Sequence, residues 1–170
     1  LTKKNRNLDS MTWLDALNQC LSGADDSSVA ATIAAVRNLP LPKEGHPALQ
    51  ETLANVAAKT SVSTENRIAA LSAAGPGRVL NEETFSLLLS MIADEQGSND
   101  RTTACNCLAG ASLKIEQRNV LLAAAENVGP MDLPKLLPAF ENDGSEEFGM
   151  LLLATLTNSK GLRGLRADLI

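Results

Sequence analysis

The chain is poor in aromatic residues, with no Tyr, three Phe and one Trp among 170 residues. β-Branched residues are also sparse, whereas Ala and Leu dominate and apolar residues recur at steps of three and four. That period is typical of amphipathic helices, and the composition offers few residues that favour strands. The sequence therefore predicts helices throughout and no sheet.

Basic charge is also in short supply, since 15 Lys and Arg stand against 20 Asp and Glu, for a net charge of −5. Six of the 15 lie near the two ends, at Lys3, Lys4, Arg6, Lys160, Arg163 and Arg166. Residues 7–159 therefore hold 9 basic against 19 acidic side chains. Because affinity for nucleic acid rests largely on Lys and Arg neutralising phosphates, a nucleic-acid-binding groove is disfavoured.

Histidine is nearly absent, and the single His46 stands between Gly45 and Pro47. Di-iron sites need several His and Glu ligands, and most zinc sites need more than one His or a Cys cluster. We therefore expect His46 to be an exposed loop residue.

Cysteine is limited to Cys20, Cys105 and Cys107, which cannot all pair within one chain. Cys105 and Cys107 lack the two-residue gap of a zinc knuckle or a redox pair, and no Cys-X-X-Cys-His haem attachment motif occurs. We expect buried free thiols, with Cys105 in the core, and no metal or cofactor.

Long apolar runs are missing too: no stretch of 18 apolar residues and no basic-then-apolar leader occurs. The sequence therefore predicts neither a membrane-spanning helix nor a signal peptide within these residues. Because the chain begins with Leu rather than Met, we expect it to be a segment of a longer protein, and its compartment stays open.

Two segments of the chain share one pattern, namely 65–75 and 99–110. Arg67 and Arg101 stand 34 positions apart, and each is followed three positions later by Ala70 or Ala104 and seven later by an apolar residue, Leu108 in the second. A fixed spacing of this size is typical of stacked repeats. We expect the two arginines to stack and to bond Glu65, Asp100 or nearby carbonyls; anion recognition is the alternative.

Ten helices are predicted from apolar stripes and from helix-ending Gly and Pro residues. Their approximate ranges are 10–21, 28–38, 47–59, 64–74, 82–93, 99–109, 115–127, one beginning near 131, 145–157 and 161–169. Pro134 fits the opening turn of the eighth, whereas Pro138 predicts a kink or break. Inward-facing residues of the ninth include Phe148, Leu151, Leu152 and Leu156. We expect left-handed C-caps at Gly23, Gly75, Gly97, Gly110, Gly129, Gly144 and Gly161.

A second series recurs as well, since 48–57, 84–93 and 117–126 follow one another at 36 and 33 residues. Two offset series of similar period indicate paired helices, and the absence of Tyr argues against tetratricopeptide repeats. An Asp-Arg pair followed by Ala three residues on is typical of the second helix of a HEAT repeat. We expect 1–170 to be one all-α domain, a right-handed α-solenoid of about five HEAT-like or armadillo-like antiparallel helix pairs.

No catalytic constellation stands out. The chain has no Gly-X-Ser-X-Gly elbow, and Gly75-Pro76-Gly77 has Pro where a phosphate loop would offer an amide. The acidic pairs Glu82-Glu83 and Glu146-Glu147 fall at expected helix beginnings, where the helix dipole favours negative charge; Asp94-Glu95 falls at an expected end. We expect no catalytic residue and therefore no enzyme.

Several leucine-rich segments, at 67–75, 101–110, 129–130, 136–141 and 151–156, carry a family resemblance. Their order resembles the helical-repeat segment of the large planctomycete-type membrane-bound dehydrogenase and c-type haem-binding proteins. The resemblance implies an exported or periplasmic parent that takes part in electron transfer, with this segment as spacer and docking scaffold. It carries no catalytic or haem-ligating residue onto this chain.

These observations favour a non-catalytic helical-repeat scaffold or protein-interaction module, whose partners are proteins or flanking domains of the same parent. Two alternatives stay open: a HEAT-like DNA-repair glycosylase, which needs a basic concave surface, and a free-standing peptide-binding adaptor. A contiguous apolar patch on one helix face would favour the adaptor. No nucleic acid, membrane insertion or small-molecule substrate is expected, and apolar residues near the ends, Trp13, Leu162, Leu165 and Leu169, are expected to be uncovered.

Overall fold

The computed structural model describes residues 2–23, 25–38, 46–93, 98–141 and 145–165. In these ranges the chain is all-helical apart from one pair of two-residue strands, which confirms the all-α class. The α-helices are α1 (Thr2–Gly23), α2 (Asp26–Asn38), α3 (Pro47–Ala58), α4 (Thr64–Ala74), α5 (Glu82–Ala93), α6 (Ser98–Ala109), α7 (Ile115–Ala125), α8 (Leu133–Leu136) and α9 (Glu146–Asn158). Two 3₁₀ turns, Leu137–Phe140 and Leu162–Gly164, and two strands, β1 (Arg78–Val79) and β2 (Ala111–Ser112), complete the described elements.

The chain forms two compact units, Leu1–Gly75 and Pro76–Ile170. The first unit contains α1 to α4, and the second contains α5 to α9 together with the strands and the 3₁₀ turns. The expectation that 1–170 is a single domain stays a prediction.

In the first unit α1 packs against α2 and α3, while α4 packs against α2 and α3. The core is built from aliphatic side chains of all four helices, among them Leu14, Leu21, Val29, Ile33, Val36, Leu49, Leu53, Val56, Ile68 and Leu71. Helix α1 begins at Thr2 rather than near residue 10, because no Gly or Pro precedes Gly23 to interrupt it.

His46 is buried, which makes the expectation of an exposed loop residue wrong. Its Nδ1 accepts a hydrogen bond from the Leu49 amide at 3.1 Å, and its Nε2 lies 3.1 Å from Asp15 Oδ1. Pro47 opens α3 without an amide proton, so the residue before it caps the next free amides. The accepting Nδ1 places the ring proton on Nε2, which donates to Asp15 and joins α3 to α1.

The second unit has a row of leading helices (α5, α7 and α9) and a row of following helices (α6 and α8). Successive leading helices pack against each other, α6 packs against α5, and α8 packs against α6. The leading helices α5 and α7 repeat at 33 residues, since both of the buried pairs Thr84–Gln117 and Leu88–Leu121 have that spacing. Each repeat position is therefore buried twice by the same kind of packing.

Strands β1 and β2 pair in parallel, with Arg78 opposite Ala111 and Val79 opposite Ser112. The expectation of no sheet is therefore wrong. These extended loops leave α4 and α6, and they run side by side at the same 33-residue offset, so that the Gly77 amide donates to the Gly110 carbonyl at 2.7 Å. The pairing is non-local, and its residues carry no strand pattern.

Pro138 breaks the eighth helix as predicted: α8 ends at Leu136, and the chain continues as the 3₁₀ turn Leu137–Phe140. The predicted tenth helix is wrong where it is described, since only the 3₁₀ turn Leu162–Gly164 forms; residues 166–170 lie outside the described residues. A side chain is not tolerated at Gly164, because a Cβ there would overlap the Pro130 carbonyl.

Left-handed backbone is found at Gly75 and Gly77, but at no other Gly in the described part of the chain. Gly75 therefore caps α4 as predicted, whereas the caps expected at Gly110, Gly129 and Gly161 are wrong. Helices α3, α7 and α9 end instead in tight turns, such as the bond from the Asn127 amide to the Ala124 carbonyl. Gly23 lies inside α1, and positions 97 and 144 lie outside the described residues.

Neighbouring residues of α7 offer a test of the repeat core. Leu121 is fully buried, whereas Val120 is 47% exposed. We expect Leu121→Ala to lower the free energy of unfolding by about 3 kcal/mol through lost burial and the cavity left behind. Val120→Ala, the matched control, lowers it by less than about 1 kcal/mol. Urea unfolding followed by circular dichroism measures both; equal losses would contradict the packing described here.

Candidate functional site

The predicted repeat positions are largely interior. Ala70, Ala104 and Leu108 are fully buried, Arg67 is buried, and Arg101 is half-buried. These residues face the packed sides of α4 and α6 rather than solvent.

The two arginines make different contacts. Arg67 Nε donates to the Ala57 carbonyl at 2.8 Å and thereby joins α4 to the last turn of α3, one of the carbonyl contacts expected. Arg101 Nε donates to Asp132 Oδ2 at 2.9 Å, a partner that the sequence pattern did not predict. Because the two arginines belong to separate units, their stacking stays a prediction.

Asp132 is the centre of a polar cluster between α6 and α8, and its side chain is only 4% exposed. Besides Arg101, its carboxylate accepts from Thr102 Oγ1 at 2.7 Å and from Lys135 Nζ at 2.9 Å, and Lys135 also donates to Thr102 at 3.0 Å. We did not predict this cluster. Its one signal in the sequence is local, an Asp directly before the Leu133-Pro134 helix start with Lys three positions later.

The electrostatics identify this cluster as a structural clamp. Burial alone raises the pKa of the Asp132 carboxyl, but hydrogen bonds from Lys135, Arg101 and Thr102 outweigh burial and lower the pKa to about 2. Asp132 is therefore a paired carboxylate at neutral pH, and an acid–base catalyst would need a pKa near neutrality instead.

The cysteines are poor nucleophile candidates in the core. Burial raises the pKa of the Cys105 thiol to about 12, and the nearby Asp132 charge raises it further, so the thiol stays protonated. Cys105 is buried as expected, whereas Cys107 is half-buried and Cys20 is exposed, so the prediction of three buried thiols is wrong for Cys20. Cys20 lies on the outward side of α1, between the buried Leu14 and Leu21 stripe positions.

The first unit has a similar polar link between α2 and α4. Asp26 Oδ1 accepts from the Ser63 amide and from Asn66 Nδ2, both at 2.9 Å, and these bonds lower the pKa of the Asp26 carboxyl, the Asn66 bond most. In both units, therefore, a carboxylate at the start of one following-type helix holds the start of its neighbour.

Metal and membrane sites were sought in the same part of the chain. Among the described residues no group of three His, Cys, Asp or Glu side chains is arranged to hold a metal ion. Within those residues, no helix is both long and apolar enough to span a membrane. Glu82, Glu83, Glu146 and Glu147 lie exposed in first helical turns, as expected, and Asp94 and Glu95 lie outside the described residues.

An apolar groove of about 460 Å³ lies between the 3₁₀ turn Leu137–Phe140 and α9. We call it the α9 groove, and its lining is Leu137, Phe140, Glu141, Glu146, Gly149, Met150, Leu152, Leu153 and Leu156. Met150 is 65% exposed and Leu153 is 50% exposed, and both charged residues of the lining are acidic. The α9 groove is a contiguous apolar surface of the kind that binds other proteins.

The opposite side of α9 is exposed as well, because Leu151, expected to face inward, is 51% exposed next to Ile115. Leu151, Leu152 and Leu153 are consecutive, so no single orientation of one helix buries all three. Trp13 and Leu162 are exposed as expected, Leu165 is half-buried, and Leu169 lies outside the described residues.

Comparison with known proteins adds no neighbour: no family model, no curated protein and no solved structure matches this chain.

The Asp132 cluster predicts a specific acid dependence of stability. The ordinary pKa of 3.8 applies to the unfolded chain and about 2 to the folded one, so the stabilisation is complete above pH 4 to 5 and is lost as pH falls towards 2. We expect the free energy of unfolding to fall by about 2 kcal/mol more in the unaltered chain than in Asp132→Asn over that range.

Urea unfolding at pH 5, 4, 3 and 2 measures this difference. Thr102→Val serves as a milder variant that keeps every charge and removes one donor, and its acid-dependent loss is smaller than that of the unaltered chain. Parallel pH profiles for the unaltered chain and Asp132→Asn would contradict the assignment.

Proposed function

We propose that this chain is a non-catalytic helical-repeat scaffold that binds protein, built as a right-handed α-solenoid of about five HEAT-like helix pairs. The observation that carries the proposal is the constant offset of 33 residues in the second unit. It relates β1 to β2, Thr84 to Gln117 and Leu88 to Leu121. Stacked repeats require such an offset, because each pair buries its apolar face only against the next.

The buried polar groups support a structural role. Gln117, almost fully buried, donates from Nε2 to the Leu80 carbonyl at 3.2 Å and to Glu82 at 3.1 Å, and it accepts from the Lys114 amide at 3.2 Å. Asp132 is likewise fully engaged by its neighbours in the fold. Side chains occupied in this way hold helix pairs in place and are not free to act on a substrate.

A peptide-binding adaptor is the form of this function that the α9 groove favours. Soluble proteins rarely leave large apolar side chains such as Met150 and Leu153 exposed together unless another molecule covers them. The glycosylase alternative has the opposite requirement, since it needs basic charge where residues 7–159 carry 9 basic against 19 acidic side chains.

Retention on duplex DNA separates the scaffold from the glycosylase. We expect the purified chain to pass through a duplex-DNA column at 50 mM salt without retention, because it lacks the cationic surface that releases counterions. A basic DNA-binding domain of similar size is the positive control, and metal analysis of the same sample is expected to find no stoichiometric metal. Salt-dependent retention, a stoichiometric metal or turnover of a substrate would contradict a non-catalytic scaffold.

We further propose, from the resemblance alone, that the parent is an exported haem protein in which this segment spaces or docks other domains. The gene sequence on both sides of the segment tests this proposal. An upstream export signal together with a downstream Cys-X-X-Cys-His motif is the expected result. A free-standing gene without either feature would contradict it.

A further inference from the structure

The α9 groove has the walls of a helix seat. One wall is the 3₁₀ turn Leu137–Phe140, which continues the following helix α8, and the other is the leading helix α9. In the first unit the same kind of seat, between α2 and α3, is filled by α4, which packs against both. The shape of this seat therefore suits an α-helix.

Repeat positions show that the groove side of α9 is uncovered where its counterpart is covered. Leu122 and Leu153 are both the eighth residue of their helices, α7 and α9. Leu122 is 1% exposed, whereas Leu153 is 50% exposed. The lining residues Glu146, Gly149, Met150, Leu153 and Leu156 follow one another at steps of three and four, which places them on a single face of α9.

The helix that fills the equivalent seat shows what kind of face fits. Helix α4 buries Ile68, Ala70, Leu71 and Ala74, which are apolar positions at helical spacing. Recognition of a helix in a groove uses the same pattern, with large apolar side chains at i, i+3 or i+4, and i+7. An occupant of the α9 groove needs two or three such side chains to cover Leu137, Phe140, Met150 and Leu153.

Charge narrows the occupant further. Glu141 and Glu146 are exposed at the edge of the groove, and no basic residue lies in its lining. Lys or Arg residues beside the apolar stripe of an occupant would approach these carboxylates, whereas acidic residues would be repelled. We propose that the α9 groove binds an amphipathic α-helix of a partner protein, with an apolar stripe flanked by basic residues. This inference rests on the proposed protein-binding function and names the partner's chemistry.

The test uses the full 170-residue chain and a fluorescein-labelled 18-residue peptide with Leu at i, i+3, i+4 and i+7 and Lys at the flanking positions. A second peptide with Glu in place of Lys is the charge control. Fluorescence anisotropy is expected to give about tenfold or more tighter binding of the Lys peptide, and this preference falls as salt rises. Equal binding of both peptides would overturn the proposal.

Two leucines on one helix provide matched variants. Leu153→Asp, inside the α9 groove, is expected to weaken binding of the Lys peptide by about tenfold or more. Leu151→Asp, on the other side of α9 and with nearly equal exposure (51% against 50%), leaves binding unchanged. Circular dichroism and urea unfolding show whether both variants fold, and Glu141→Gln with Glu146→Gln, which keeps the apolar lining, reduces the salt dependence.

Three results would decide against the groove. Unchanged binding to a folded Leu153→Asp chain overturns this site, while the proposed scaffold function stands. Dimerisation of the unaltered chain in light scattering, lost in Leu153→Asp, overturns it in favour of a second copy as the occupant. Retention on duplex DNA contradicts the proposed function itself, and the two failures are thereby distinguished.

Discussion

Burial of apolar surface between successive helix pairs is the interaction on which the described structure depends. A single pair of amphipathic helices leaves one apolar side uncovered, and the next pair covers it only when equivalent residues come into line. In the second unit this requirement sets one offset for helix and loop alike. Leu88 and Leu121 are both fully buried, and Arg78 lies opposite Ala111 at the same 33-residue spacing. The backbone pairing and the core thus reinforce the same alignment.

Buried polar groups make that alignment specific. An apolar interface tolerates small shifts between helices, whereas a buried carboxylate or amide that loses its partners is costly. Asp132 meets three donors and Gln117 meets two acceptors and a donor, each across a boundary between elements. A displacement of α8 against α6 by one helical turn would leave a carboxylate and two cations without partners. We infer that these contacts select one packing arrangement among several apolar ones.

Local signals in the sequence predicted most of the helices but few of the polar contacts. Helices α3 to α5 were predicted to within one residue because N-caps, Gly and Pro mark their ends, and the break at Pro138 follows from ring geometry. Asp132 was missed because Arg101 lies 31 residues away in the chain, and His46 because a residue before Pro serves either a loop or a cap. The strand pair was missed because its partners are loops, which only the fold brings together. Leu151 was misplaced because its neighbours Leu152 and Leu153 are equally apolar.

Helix α9 differs from the other leading helices in having apolar side chains on more sides than its neighbours cover. Terminal repeats of a stable array normally present a polar outer face, since an apolar face in water favours association. Met150 and Leu153 break that rule, whereas Glu141 and Glu146 beside them keep the same edge hydrated and anionic. An apolar floor with an acidic border resists another acidic surface, including that of a chain with net charge −5. The same border favours a basic helix, so the groove combines an attraction for one class of partner with a repulsion against the chain's own kind.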